Sequence, residues 1–344
     1  MKGSVVALDQ LGGRRAAALI QDGILQDFLI DGLESSPPAP GTVFRAICDR
    51  PLKGQGAMVV RLPLGTGFLR QAKGLRQGQA VLAQVTGYAE PGKAVPLTTR
   101  ILFKSRYAIV TPGAPGVNIS RAIRDEDERV RLQEIAAETF DAQDTGLIMR
   151  SACEAADADA IADDVTTMAD IAARLISETE SDAELLLDGP DAHTLAWRDW
   201  KIPDVLADQA GSFAEHGVDE MVHFLAGAQS RLPGGAHAYV EATRALVAVD
   251  VNTGADTSPA AGLKANIALA RDLPRLLRCK GLGGQITIDF APTLKKDRRQ
   301  IEQVLKAAFR RDVIETALAG WTPLGHFELQ RKRERLPLSE SLPR

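Results

Sequence analysis

Cysteine is scarce in this 344-residue chain, and what little there is forms no pattern. Cys48, Cys153 and Cys279 are odd in number, far apart and without a C-x-x-C pair. That spacing argues against a disulfide framework or a structural zinc site and leaves three buried apolar thiols as the expectation. Long apolar runs are missing too. No stretch approaches the roughly 18 residues of a membrane span, and the start, Met1-Lys2-Gly3-Ser4-Val5-Val6-Ala7-Leu8-Asp9, has no signal-peptide core. A cytoplasmic protein with no membrane partner is expected. His193, His216, His223, His237 and His326 show no metal-ligand spacing and read as surface or capping residues. A phosphate-cradling loop is absent, since Lys280-Gly281-Leu282-Gly283-Gly284 fits a helix stop before a strand better than a Walker or dinucleotide pattern.

What is present is ordinary globular composition, 45% hydrophobic and 25% charged, enough for two or three domains with real cores. Within it, two β-branched runs each deliver an aspartate at their end: Leu246-Val247-Ala248-Val249-Asp250-Val251-Asn252 and Gly283-Gly284-Gln285-Ile286-Thr287-Ile288-Asp289-Phe290. Both are short enough to be buried strands, and side by side they would present two carboxylates at one sheet edge. Mg²⁺ takes one or two protein carboxylates, keeps waters and accepts phosphate oxygens, so Asp250 and Asp289 suggest phosphodiester chemistry. Asn252 falls on the same face as Asp250 and is placed to orient a carboxylate or a metal-bound water. The plainer reading of either aspartate alone is a turn former or helix N-cap.

Charge is unevenly distributed behind the net −4. Residues 125–190 hold 19 acidic and four basic side chains, whereas residues 270–335 hold 15 basic and eight acidic. Arg271, Arg275, Arg278, Lys280, Lys295, Lys296, Arg298 and Arg299 lie where a phosphate backbone would pass to reach the two aspartates, although a solvated helix face explains any subset of them equally well.

The ordered series Arg231-Leu232-Pro233-Gly234-Gly235, Glu241-Ala242-Thr243, Val249-Asp250-Val251-Asn252-Thr253-Gly254, Asn266, Leu282-Gly283-Gly284, Ile286-Thr287-Ile288-Asp289-Phe290 and Gly325-His326-Phe327-Glu328-Leu329-Gln330-Arg331-Lys332-Arg333 resembles the catalytic region of the ribonuclease E/G family. The resemblance implies that Asp250 and Asp289 bind Mg²⁺ and that Asn252 supports the attacking water or the first aspartate. It implies an α/β multidomain chain with four parts: a ribonuclease H-like scaffold from residues 1–38 and 185–228, an inserted OB-type RNA-binding barrel at 39–100, a 5′-sensor domain at 101–184, and a deoxyribonuclease I-like catalytic domain at 229–344.

Earlier segments fit that order. Val43–Ile47, Ala57–Leu62, Ala80–Val85 and Val95–Thr99 read as short strands at hairpin spacing, as in a small barrel. By the resemblance, Phe68 occupies one of the barrel's RNA-stacking aromatic positions, Lys93 its RNA-contacting lysine, and Met58 the second aromatic position; a barrel-core role is the alternative for Phe68. Arg150 and Ser151 match the arginine and threonine that bind a 5′-terminal phosphate, and Arg121 a further positioning arginine. Arg150, in its acidic surroundings, fits either a charge-assisted phosphate contact or a structural ion pair. A helix is expected from Asp125, and another over Asp157–Glu184 with Ile161, Val165, Met168, Ile171, Ala172 and Leu175 as its apolar stripe. A weak strand signal follows at Leu185–Leu187, then a helix over Asp219–Gln229.

Departures from the family are also legible. The zinc-binding cysteine pair that links subunits has no counterpart before Arg344, so a zinc-linked dimer is not expected, and oligomeric state is open. Pro292 replaces a second acid after the D-F-x motif, and Pro274 is expected to interrupt the helix between the aspartate strands. The sequence thus points to a Mg²⁺-dependent endoribonuclease acting on single-stranded RNA. A catalytically silent RNA-binding regulator and a nuclease acting on DNA are the alternatives.

Overall fold

The computed structural model describes residues 3–52, 54–177 and 182–342. These form two compact units, one combining residues 1–35 with 203–344 and the other spanning 36–202.

In the first unit, strands Ser4–Leu11, Arg14–Gln21 and Ile24–Ile30 make an antiparallel meander. Two-residue turns join them, Gly12-Gly13 and Asp22-Gly23, with positive φ at both residues, the backbone that matches strand twist in a tight hairpin. Strand Val205–Ala207 adds in parallel along Ser4–Leu11. Val5, Ala7, Ala16, Ala18 and Phe28 form a core there with Phe213, Val218 and Val222.

A second, six-stranded sheet of the same unit holds both aspartate strands. Its order is Gln229–Arg231, His237–Ala242, Val247–Asn252, Gly284–Asp289, Phe327–Arg331 and Thr316–Trp321. Only Val247–Asn252 and Gly284–Asp289 run parallel, so they require a crossover, which helix Ala261–Cys279 supplies. Leu269, Leu273, Leu276 and Leu277 on that helix pack with Val247, Val249, Val251, Ile286 and Ile288 from the strands and with Ile301, Leu305 and Phe309 from helix Arg298–Arg310. The expected interruption at Pro274 does not occur. The ring removes one donor, but Pro274 is buried and the helix continues to Cys279.

The second unit contains a closed, OB-like barrel. Strands Val43–Leu52, Ala57–Arg61, Thr66–Leu69, Val95–Thr98 and Ala80–Val85 pair in that order, and the last pairs back onto the first. Strand Thr66–Leu69 has little apolar signature because Gly67 stands at an inward position, where a Cβ would lie 2.3 Å from Leu97. Strand Glu184–Leu187 pairs with the barrel strand Val43–Leu52, and Arg45 reaches Glu184 at 2.8 Å. Residues 185–202 therefore sit in the second unit, and the chain returns to the first at Pro203, not at residue 185 as expected.

The rest of the second unit is a four-stranded sheet, Gly116–Ile119, Thr145–Met149, Ala108–Pro112 and Phe103–Lys104, with helices Glu126–Thr139 and Ala158–Ser177 contributing Leu132, Ile135, Ile161, Val165 and Leu175 to its core. Asp125 caps the first helix by accepting from the Glu128 amide at 2.9 Å. The second ends at Ser177; residues 178–181 of the longer helix expected from the sequence lie outside the described residues, and Glu184 already belongs to a strand. All three cysteines are buried and free. No helix among the described residues is long and apolar enough to cross a membrane.

Candidate active site

The six-stranded sheet has one face packed on its helices and one open. Along Val247–Asn252 the buried residues are Val247, Val249 and Val251, so Ala248, Asp250 and Asn252 face outward. Gly284–Asp289 alternates the same way, burying Ile286 and Ile288 and presenting Gln285, Thr287 and Asp289. Register then decides the site. Asp250 and Asp289 are direct partners in the parallel ladder, one strand spacing apart, about 4.8 Å.

Both carboxylates are exposed. Asn252 donates its Nδ2 to Asp250 Oδ2 at 2.8 Å, and His326 Nε2 lies 3.8 Å from Asp289 Oδ1. Two acids set side by side repel, and among the described residues the partners seen beside them are the Asn252 amide and the His326 imidazole. This donor set fits Mg²⁺, which is satisfied by one or two carboxylates with water and phosphate oxygens completing its shell. Among the described residues no group of three or more His, Cys, Asp or Glu side chains could hold a metal ion, so a tightly caged site of the zinc type is not present there.

The loops behind the acids are fixed by backbone contact. Asn266, fully buried, donates to the Ala291 carbonyl at 2.9 Å and accepts from the Ala291 amide at 3.0 Å, clamping the segment that follows Asp289. At Gly262, in the first turn of the crossover helix, a Cβ would lie 2.1 Å from the Pro292 carbonyl oxygen; at Gly254, after Asn252, it would lie 2.3 Å from that of Gly235. These approaches explain why positions 254 and 262 carry no side chain.

The basic residues divide. Lys295, Lys296 and Arg299 follow the Asp289 strand and are exposed, while Arg298 lies over the Trp321 ring at 4.7 Å. Arg275, Arg278 and Lys280, expected along the phosphate path, are at the other end of the crossover helix, and hence beyond the opposite edge of the sheet. They serve structure: Arg275 pairs with Asp272 and donates to the Leu25 carbonyl, Arg278 pairs with Asp312, and Lys280 Nζ donates to the carbonyls of Leu225 and Gly227. Burial lowers the Lys280 amine to about 8. Arg331 is buried against Asp312 and Thr316 Oγ1, and Arg333 fills the space that Gly284 leaves open.

In the barrel, Phe68 is half-buried on the outer surface, in register with Val59 and Pro96, and does not belong to the barrel core. Lys93 is exposed and paired with Glu90 at 2.6 Å. Met58 faces inward and is 3% exposed.

Arg121 and Ser151 are both exposed and follow the ends of the paired strands Gly116–Ile119 and Thr145–Met149, where Ile119 partners Met149. Arg121 also lines a cavity of about 620 Å³ between the first of these strands and helix Glu126–Thr139. Arg150 is committed elsewhere. Its guanidinium donates to the carbonyls of Ser105, Arg106 and Arg198 and pairs with Asp199 at 2.7 Å. Lys104 and Arg198 meet the same carboxylate. Burial alone would raise Asp199, but hydrogen bonds and charge from Arg198 and Lys104 outweigh it and hold the carboxyl well below the usual range. Of the two sequence readings of Arg150, the ion pair is the one observed.

The sequence leaves His326 and His237 as surface or capping residues and assigns Tyr239 no role, yet all three lie on or beside the open sheet face. The alternation of His237, Tyr239 and Glu241 with Ala238 and Val240 was the available signal, but only strand pairing puts Tyr239 opposite Asp250 and His237 opposite Asn252.

A profile of the ribonuclease E/G family matches residues 103–209 and 201–334. Ribonuclease G of Salmonella typhimurium (strain SL1344) is 27% identical over 92% of this chain and 77% of its own length. Ribonuclease E of Synechocystis sp. (strain ATCC 27184 / PCC 6803 / Kazusa) is 28% identical over 79% of this chain and 47% of its own, and ribonuclease E of Escherichia coli (strain K12) is 27% identical over 78% and 29%. With the profile covering well over half of its residues, the chain belongs to the ribonuclease E/G family.

Proposed function

We propose that this protein is an endoribonuclease of RNA processing or decay that hydrolyses single-stranded RNA and depends on Mg²⁺. The observation that carries the reading is the register of Asp250 against Asp289 at an exposed sheet edge, supported by membership of a family whose relatives are named ribonuclease G and ribonuclease E. Asp250 and Asp289 would hold the ion, which supplies an activated water and neutralises charge developing on the scissile phosphate. Asn252 fixes the Asp250 carboxylate, His326 flanks Asp289, and Asn266 holds the main chain behind it. Lys295, Lys296 and Arg299 attract the phosphate backbone toward an edge that is otherwise acidic. Retention of both acids with their Asn favours this reading over a silent RNA-binding regulator.

On the same reading, residues 1–35 with 203–228 act as the ribonuclease H-like scaffold and residues 229–344 as the deoxyribonuclease I-like catalytic part. Phe68 gives the barrel one stacking platform, worth about 1–3 kcal/mol per base, while inward-facing Met58 supplies no second one. A 5′ monophosphate stimulates cleavage by meeting Arg121 and Ser151, with Arg150 supporting them from behind.

The decisive experiment is cleavage of an end-labelled single-stranded RNA by the parent protein and by Asp289→Asn, with and without Mg²⁺. Loss of cleavage with retained RNA binding is expected; undiminished cleavage by the variant refutes the assignment. Repeating it on RNA with a 5′ monophosphate, triphosphate or hydroxyl tests the sensor, and equal rates for all three remove that role while leaving the metal centre intact.

A further inference from the structure

The row of side chains that crosses the open sheet face does not stop at the two acids. Tyr239 is the antiparallel partner of Asp250, and Gln229 the partner of Tyr239, so Gln229, Tyr239, Asp250 and Asp289 lie in one line across four strands. A parallel line beside it runs Arg231, His237 and Asn252. Tyr239 is 37% exposed, on the face opposite the buried Ala238 and Val240. His237 stands edge-on to it, ring centroids 5.5 Å apart at 85°, the T-shaped arrangement that fixes one ring with the edge of another. Only three tyrosines occur in the chain, and this one lies one strand spacing, about 4.8 Å, from Asp250, an acid of the proposed cutting site.

A wet aromatic ring beside a phosphodiester-cutting centre has one suitable occupant. Backbone phosphates are repelled by the adjoining acids unless a cation intervenes, whereas a nucleobase is neutral, planar and polarisable and gains by stacking on the ring. Stacking requires an unpaired, splayed base. Gln229 offers an amide for a base edge, and exposed Arg231 a cation for the next phosphate.

We propose that Tyr239, braced by His237, is a stacking platform for an unpaired nucleobase adjoining the scissile phosphate, so that this sheet face selects single-stranded RNA at the point of cleavage. This rests on the reading of Asp250 and Asp289 as the cutting site. Tyr239 contacts substrate; His237 is a positioning residue.

The test uses the full chain and short single-stranded RNAs, each carrying 2-aminopurine at one position, whose fluorescence falls when the base stacks. Without divalent metal, the parent protein is expected to quench the probe at one or two positions next to the cut, Tyr239→Ala to lose that quench, and Tyr239→Phe and Tyr239→Trp to keep it. With Mg²⁺, Tyr239→Ala should raise KM about ten-fold, equivalent to about 1.4 kcal/mol, with kcat changed far less, and His237→Ala should raise KM about two- to three-fold. If the parent cleaves and Tyr239→Ala matches it in KM and in quenching at every position, this inference falls and the catalytic assignment stands. If Asp289→Asn still cleaves, the catalytic assignment falls; the quenching pattern then judges the platform alone, and no quench by the parent protein at any position overturns it.

Discussion

The aspartates of the two units keep opposite company. Asp199 is met by Lys104, Arg150 and Arg198, and the carboxylate's capacity is spent inside the fold. Asp250 and Asp289 face each other across a strand gap, with an amide and an imidazole nearby and no arginine or lysine ion-paired with them among the described residues. Paired charge builds structure, whereas like charge left side by side is a cost that a cation or substrate can relieve. The same contrast separates the arginines, Arg150 consumed by three carbonyls and a carboxylate, Arg121 open to a cavity.

Substitutions can break this contrast. Asp250→Asn is expected to lower the rate of RNA cleavage by about 10²-fold or more, in line with loss of one electrostatic contributor, while leaving the thermal midpoint unchanged or raised; a clear drop in midpoint would make Asp250 a structural residue. Asp199→Ala should act the other way. It leaves three cations without their shared counter-ion and should cost the second unit about 2–3 kcal/mol, less than the roughly 3–5 kcal/mol of a fully buried pair, because the carboxylate retains 28% exposure. Denaturant unfolding measures it, and an unchanged midpoint would refute the structural role.

Acid offers a gentler probe of the second unit. Glu128 is lowered from 4.5 to about 2, chiefly by the hydrogen bond from Arg131. Its stabilising contribution is complete above pH 4.5 and disappears as pH falls toward 2, because the unfolded chain takes up the proton first. Unfolding midpoints followed from pH 5 to 2 should fall, and less steeply in Glu128→Gln; identical slopes would remove Glu128 from the account. The smallest effect is expected from the double variant Lys295→Ala, Lys296→Ala. RNA binding should weaken to a similar degree for all sequences, and the slope of log affinity against log salt should shrink by about 0.7 per lysine. An unchanged slope would place the RNA path elsewhere.

The aspartate strands were legible because β-branched runs ending in Asp between glycines leave few alternatives, and their boundaries in the structure, Val247–Asn252 and Gly284–Asp289, lie within a residue of the pattern. Strand Thr66–Leu69 and the attachment of Glu184–Leu187 to the barrel were not, since a glycine at a core position and a long-range pairing leave no periodic trace. Basic residues were harder still. Arg278 and Lys296 look alike in a charge count, but one closes an ion pair with Asp312 and the other faces solvent, and helix direction decides which. The platform residue Tyr239 acquires meaning only through its partner across the ladder.

The glycine at position 262 lets two backbones meet behind the acid edge. The helix backbone there rests against the main chain of Pro292 with no room for even a methyl group, so the first turn of the crossover helix is packed directly on the segment that follows the Asp289 strand. Any side chain at residue 262 would have to push aside the chain that follows Asp289, so the activity of larger substitutions there measures how much displacement the cutting edge can bear.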